Sequence, residues 1–431
     1  MMNLIRRIKK SNVGKDIILM SVGTIIAQSV NVLTQPILTR IVPPSTLGIY
    51  TYIISLATMI IPVASLKLDM LVVSEEDDNA AQYITDVCII VCMLISLISA
   101  FTICVSFLFD APNALNKYGL VMFFVPIIIF SNGIRFLFIS YNNRYREYKK
   151  ISIIGVIRES SKALIQVLSG FLHFGVIGQV VGYAVAPFIG FHYQANKYFF
   201  KFTQRSLISF HQIKDILFVK GKRQILYLVP AQFVNNFSST IVVLSISELY
   251  SATTLGYYSV GVRLLEIPFV LITANISKVC YRQISEMVIH KGKIFPLFRK
   301  ISLLLLVASF IGFSLLFFVA PTFSKFVFGN GYEIAGEYMR CLCLMYAVRF
   351  VATSFAGLFT IFEKQNFELF LNIAFVIIAV SLFLLCRYNN IHVEGYLWLI
   401  SGFYSLIYFI LWVGYACACW KNDVKYKEIK K

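Results

Sequence analysis

Arg158, Glu159 and Lys162 lie together inside a mostly apolar run, and Lys162 is one helical turn beyond both of the others, so the three occupy neighbouring positions on one helical face. Helical rise places Lys162 about 16 Å into that run, near the middle of a bilayer. A charge at that depth costs about 2.5–3.5 kcal/mol on insertion scales, so it faces a bundle interior and a partner rather than lipid. Arg349 is equally central in another run, and Arg263 with Glu266, one turn apart, form a second candidate pair. Arg135 is intermediate in depth, whereas Lys278 and Arg340 are close enough to run ends to reach the interface. Internal bases therefore exceed the internal acids, Glu159 and Glu266. Either the bases pair with carbonyls and each other to fix helix packing, or they line a water-accessible cavity for a negatively charged substrate. On the second reading Arg158, Lys162, Arg263, Arg349 and Arg135 are candidate substrate-binding residues. Glu159 and Glu266 are candidates for coupling to a proton or cation, although pairing with Lys162 and Arg263 is the simpler account.

Other chemistry finds no support in the spelling. The five histidines, at 173, 192, 211, 290 and 392, are scattered without a His-Glu-x-x-His motif. Gly221-Lys222 lacks the upstream glycine of a nucleotide-binding loop, and no Gly-x-Ser-x-Gly elbow occurs. Neither a catalytic residue, a metal site nor a cofactor is expected. The nine cysteines fall almost entirely within apolar runs, without a Cys-x-x-Cys pair, and read as packing residues.

The elements that must hold these charges are membrane spans. Hydrophobic residues make up 58% of 431 and charged residues only 14%, with mean hydropathy +0.76. About twelve runs reach the roughly 20 apolar residues that a spanning helix needs. Approximate bounds are 16–39, 47–66, 82–108, 119–141, 151–171 and 176–199, then 224–246, 256–281, 298–320, 338–362, 367–387 and 394–419. Most of the 39 Lys and Arg fall in the connections on one side, together with Arg6, Arg7, Lys9, Lys10 and the C-terminal tail. The positive-inside rule makes that side, and both termini, cytoplasmic. The net charge of +18 is thus topology rather than nucleic-acid binding. The basic N-terminus reads as the lead into an uncleaved first span, and the short outward connections leave no room for an outer domain. Pro36, Pro62, Pro126, Pro187, Pro230 and Pro268 sit in or at the start of spans, where each removes a backbone donor and favours a kink.

A repeat organises the spans. Ala27-Gln28-Ser29-Val30-Asn31 followed by Thr46-Leu47-Gly48-Ile49-Tyr50 is echoed, in the same order, by Ala231-Gln232-Phe233-Val234-Asn235 and Thr254-Leu255-Gly256-Tyr257-Tyr258. The fold class is therefore an all-α polytopic membrane protein with about 12 transmembrane helices in two pseudo-symmetric six-helix lobes. The lobes are 1–199 and 224–431, joined by a basic cytoplasmic linker, 200–223. Gly48 and Gly256 become candidate outer-face hinge or packing points.

Leu38-Thr39-Arg40-Ile41-Val42-Pro43-Pro44 through Tyr50, Leu66-Lys67-Leu68-Asp69-Met70 before Glu75-Glu76-Asp77-Asp78, Leu255-Gly256-Tyr257-Tyr258 through Arg263 and Pro268, and Phe328-Gly329 with Tyr332 and Ala335 together carry a resemblance. In these the chain resembles the polysaccharide transport family of O-antigen and polysaccharide-repeat flippases, related to the multidrug and toxic compound extrusion fold. Asp69 stands where that family commonly has Glu. The resemblance implies a non-enzymatic, alternating-access flippase in the bacterial cytoplasmic (inner) membrane. It would move a polyprenyl-diphosphate-linked oligosaccharide from the cytoplasmic to the outer leaflet for O-antigen, lipopolysaccharide or other polysaccharide biosynthesis. Its partners would be that lipid-linked oligosaccharide, membrane lipids and a candidate glycan polymerase. The competing functions are a multidrug-type secondary exporter, which would favour internal acids, an integral-membrane glycan enzyme, either an acyltransferase or a polymerase, of which the polymerase would be expected to carry a large outer loop with Arg or His, and a scaffold without transport, which the buried charges disfavour.

Overall fold

The computed structural model describes residues 12–109, 115–202, 208–289, 292–362 and 364–429, and among these every regular element is helical. The basic residues of the N-terminal lead and His290 lie outside the described residues. The helices are α1 Asn12–Ile41, α2 Pro44–Ile60, α3 Asp69–Ser74, α4 Asp78–Leu108, α5 Phe124–Arg144, α6 Tyr148–Phe171, α7 Gly175–Val185, α8 Phe191–Phe202 and α9 Phe210–Asp215. They continue as α10 Val229–Leu249, α11 Ala252–Pro268, α12 Ala274–Ile289, α13 Phe295–Phe328, α14 Glu333–Thr353, α15 Leu358–Ile361, α16 Gln365–Asn389 and α17 Val393–Ile429. Every apolar run read from the sequence falls on a helical stretch. Nine stretches among the described residues are long and apolar enough to cross a membrane. The runs at 16–39, 151–171 and 256–281 form helices too, but α6 carries Arg158, Glu159 and Lys162 and α11 carries Arg263 and Glu266, which lowers the hydropathy of the last two. The protein is thus an all-α, multi-pass membrane protein.

The prolines mark where helices change type. Pro62 lies in a 3₁₀ turn, Ile61–Val63, that ends α2, and Pro187 lies in another, Ala186–Phe188, between α7 and α8. Pro268 ends α11 and is followed by a π turn, Phe269–Thr273. Pro36 is accommodated inside α1. In each break the pyrrolidine nitrogen cannot donate, and the neighbouring carbonyls re-pair at a different spacing.

The chain divides into two compact units, Met1–Thr240 and Ile241–Lys431. In the first, α1 and α6 run side by side in the same direction. Gly23 lies against Ser152, Asn31 bonds Glu159, and Gly170 meets Ile41 and Val42. The α6–α7 corner turns through His173 and Gly175, both at φ 57°, and is locked by Gln166 and Gln179, each donating its amide to the other's main-chain carbonyl at 3.0 and 2.9 Å. In the second unit α13 and α14 form a close antiparallel pair. Ser309 donates to the Ala347 carbonyl at 2.7 Å and Ser324 to that of Tyr332 at 2.7 Å. Gly336 is so near α13 that an added Cβ would stand 2.4 Å from Pro321 Cα and 2.6 Å from the Ala320 carbonyl oxygen. Asp423 on α17 caps the start of α13, accepting from the amides of Ile294 and Phe295 at 2.8 and 2.9 Å. The nine cysteines are free thiols, seven of them buried, which agrees with a packing role.

One cation organises the polar end of the first unit. Arg144, at the end of α5, donates to Asp78 at 2.9 Å, to the carbonyls of Val72 at 3.1 Å and Glu76 at 3.2 Å, and to that of Glu75. Lys201 joins the same carboxylate at 2.8 Å. The guanidinium fork thus satisfies carbonyls that α3 and the following turn leave open. Arg144→Ala is expected to destabilise the folded protein by about 2 kcal/mol, the scale of losing charge-assisted hydrogen bonds. Arg144→Lys should recover less than half of this, read as thermal unfolding in detergent.

Candidate functional site

Two clusters of charge near mid-span stand out, one in each unit. In the first, Glu159 accepts from Asn31 Nδ2 of α1 at 2.8 Å and forms an ion pair with Lys162. Helical rise sets Lys162 about 21 Å along α6 from Tyr148. The side chains of Lys162 and Glu159 keep 15% and 18% of their surface open, so the pair is reachable rather than sealed. Lys162 Nζ also lies 5.8 Å from the ring centre of Tyr183 on α7, which packs edge-on to Tyr50 of α2 at 6.4 Å. Both repeat markers in this unit, Asn31 and Tyr50, therefore lead to the Glu159–Lys162 pair.

Arg158 is held apart from that pair although it is adjacent in sequence. Successive residues point about 100° apart on a helix, which carries Arg158 to the side of α6 that packs on α8. It is 4% exposed and donates to Gln194 Oε1 at 3.0 Å, and its Nε has no partner among the described residues. Gln194 is itself fixed, its carbonyl accepting from Asn142 at 3.0 Å. Arg135 on α5 is close enough for its charge to act on both Arg158 and Glu159, and its buried Nε is likewise without a partner. With Lys162 neutralising Glu159, the two guanidinium groups leave this region positively charged.

In the second unit Arg349, on α14, sits among aromatic rings. Its guanidinium carbon is 5.0 Å from the ring centre of Phe269, 5.2 Å from Tyr346 and 6.0 Å from Tyr408. Its Nη1 is 3.8 Å from Glu266 Oε1, a long pair in which the side chains are 29% and 46% open. Phe269 opens the π turn after Pro268, so the break in the eighth span supplies one wall of this ring cluster. Arg263 lies one turn before Glu266 on α11, half-buried and engaged in interactions of its own. Both Glu266 and Arg349 keep part of their side-chain surface open, while Arg349 Nε is buried without a partner among the described residues.

The other charged and glycine candidates take separate places. Lys278 is exposed on α12, and Arg340 pairs with Glu337 at 3.0 Å while donating to the Phe317 carbonyl at 2.9 Å. Gly48 and Gly256 are both buried, in the second turns of α2 and α11. Among the described residues no cluster of His, Cys, Asp and Glu could hold a metal ion. Sequence reasoning missed Gln194 and the three rings around Arg349. Asn31 carried a signal as part of the repeat, whereas Gln194 carried none.

The comparisons with known proteins fit this architecture. The model of a family described as polysaccharide biosynthesis protein matches residues 37–336. Among solved structures the chain is similar to the lipid II flippase MurJ in an inward closed conformation, with TM-score 0.70 and 14% identity over 95% of this chain and 90% of that one. It is also similar to an inward-facing multidrug resistance MATE family transporter of the MOP superfamily, with TM-score 0.62 and 13% identity over 93% and 98% of the two chains. A third likeness is to a MOP superfamily transporter from Pyrococcus furiosus, at TM-score 0.58 and 13% identity, covering 97% and 96%. At these identities the likeness establishes the shared fold. No curated protein matches the sequence.

Proposed function

The chain belongs to the polysaccharide biosynthesis protein family, and from that premise we propose that it is a flippase for a polyprenyl-diphosphate-linked oligosaccharide. The substrate moves from the cytoplasmic to the outer leaflet by alternating access of two six-span lobes, 1–199 and 224–431, about the basic linker 200–223. Both termini are cytoplasmic, the membrane is the bacterial inner membrane, and a glycan polymerase receives the product. Gly48 and Gly256 pack the outer ends of the lobes.

The observation that carries this reading is the surplus of partly open cations near mid-span. Lys162 and Arg349 contact the diphosphate, and Arg263 assists. Arg158 and Arg135 act from behind, holding the first unit's potential positive without needing to touch the substrate. Diphosphate competes with Glu159 for Lys162 and with Glu266 for Arg349, whose pair is already long at 3.8 Å. Sugar rings stack on the tyrosines beside the cations, and the polyprenyl tail stays in lipid. A multidrug exporter on the same fold would want free acids for cationic drugs, whereas here both acids face a base.

The membrane potential has the right sign to drive the step. With the cytoplasm negative, outward movement of a diphosphate releases about 2.3 kcal/mol per charge per 100 mV for full crossing of the field. In reconstituted vesicles transport is expected to accelerate with an inside-negative potential and to ignore pH and sodium gradients. Acceleration by a proton or sodium gradient at zero potential would instead assign Glu159 or Glu266 to ion coupling.

A further inference from the structure

The described stretch Ile208–Arg223 is fastened on one side and bare on the other. It leads directly into Gln224–Leu249, a helical stretch long and apolar enough to cross a membrane. Its α9 starts with a reciprocal cap, Ser209 and Gln212 each bonding the other's amide. Two contacts fasten the stretch after α9 to the first unit. Lys220 Nζ is 3.0 Å from Glu75 Oε2, and Gly221 approaches Leu68 so closely that a Cβ would stand 2.4 Å from its Cδ2. Ile216, between α9 and Lys220, is 4% exposed.

The opposite side is uncovered among the described residues. Phe210 is 81% exposed, Phe218 67% and Val219 69%, and this apolar surface continues into Leu226 and Tyr227 at the start of the next span. Among these lie Lys214, Lys222 and Arg223, all exposed and, among the described residues, without a carboxylate at ion-pair distance. Lys220 is paired, so three cations remain uncommitted. Two open phenylalanines are unfavourable in water, whereas an aromatic and basic helical segment suits the boundary between headgroups and acyl chains.

We propose that Ile208–Arg223 is an interfacial segment that recognises anionic phospholipid headgroups. Phe210, Phe218 and Val219 enter the headgroup–acyl boundary, and Lys214, Lys222 and Arg223 hold lipid phosphates. A lipid surface is favoured over a soluble protein partner because the segment leads directly into a helix apolar enough to cross a membrane, and its exposed apolar side continues onto Leu226 and Tyr227 of that helix.

Hydrogen–deuterium exchange of residues 208–228 tests this with the full chain in nanodiscs of phosphatidylcholine alone and of phosphatidylcholine with phosphatidylglycerol in equal parts. Each basic residue near an anionic surface favours the bound state about fivefold, so three set an upper limit of about 100-fold. Exchange is expected to slow by at least about tenfold in the anionic discs, less so in high salt. The K214Q/K222Q/R223Q variant should lose the difference with its unfolding midpoint unchanged. Equal exchange of the wild-type segment in the two lipids, or a difference that survives in the triple variant, would overturn the proposal.

Discussion

Lys162→Ala and Arg349→Ala are each expected to insert and fold yet transport about 10- to 100-fold more slowly, the scale of one charge-assisted hydrogen bond to a phosphate. The two positions differ in what else is lost. Removing Lys162 leaves Glu159 with Asn31 as its remaining bonding partner at 2.8 Å, a poorly compensated carboxylate near mid-span. The double variant Lys162→Ala, Glu159→Gln removes that penalty, so its stability should return towards the wild type while transport stays low. At Arg349 the test is Lys. Arg349→Lys keeps the charge but loses the planar group that lies among Phe269, Tyr346 and Tyr408. It should transport more slowly than wild type and faster than Arg349→Ala. Transport rates in vesicles, normalised to folded protein, separate these outcomes. Normal rates in both alanine variants would remove the cationic-cavity account.

Gly336→Val is expected to abolish folded protein rather than activity. Its Cβ would be forced against backbone, Pro321 Cα at 2.4 Å and the Ala320 carbonyl at 2.6 Å, and no rotamer relieves a backbone clash. Separating α13 from α14 would also weaken the Ser324 bond to Tyr332 and the Arg340 bond to Phe317. Overpacking alone costs about 1–3 kcal/mol, and a shift of two helices puts the cost at the upper end or beyond. Gly336→Ala should show a smaller loss in the same direction. Gly312, on the same α13 but with nothing within 4 Å of an added Cβ, is the control. Gly312→Ala should be neutral or stabilising by about 0.5–1 kcal/mol, since glycine is a poor interior helix residue. Folded yield from size-exclusion chromatography and the unfolding midpoint report both.

The helices were legible because apolar length is a local property. The run at 176–199 maps onto α7 and α8 with their break at Pro187, and that at 256–281 onto α11 and α12 around Phe269–Thr273. Pairings were legible only within one turn. Glu159–Lys162 follows from helical spacing, whereas the partnership of Glu266 with Arg349 joins two helices and has no local signature. Spacing also grouped Arg158 with its neighbours, but a step of 100° sent it to Gln194 instead. The repeat marker was more informative than its wording suggested. It singled out Asn31 and Tyr50, and both prove to lead to the Glu159–Lys162 pair, Asn31 directly and Tyr50 through Tyr183.

The central claim is that an anionic lipid-linked glycan, and not a cationic drug, passes through this protein. A leaflet-resolved assay tests it most directly: purified protein in vesicles carrying a polyprenyl diphosphate oligosaccharide, with the externally exposed fraction read by a membrane-impermeant glycosidase or lectin, alongside uptake of a lipophilic cationic dye. The account predicts protein-dependent equilibration of the glycan between leaflets, slowed in Lys162→Ala, with no protein-dependent movement of the dye. Dye transport without glycan movement would contradict it.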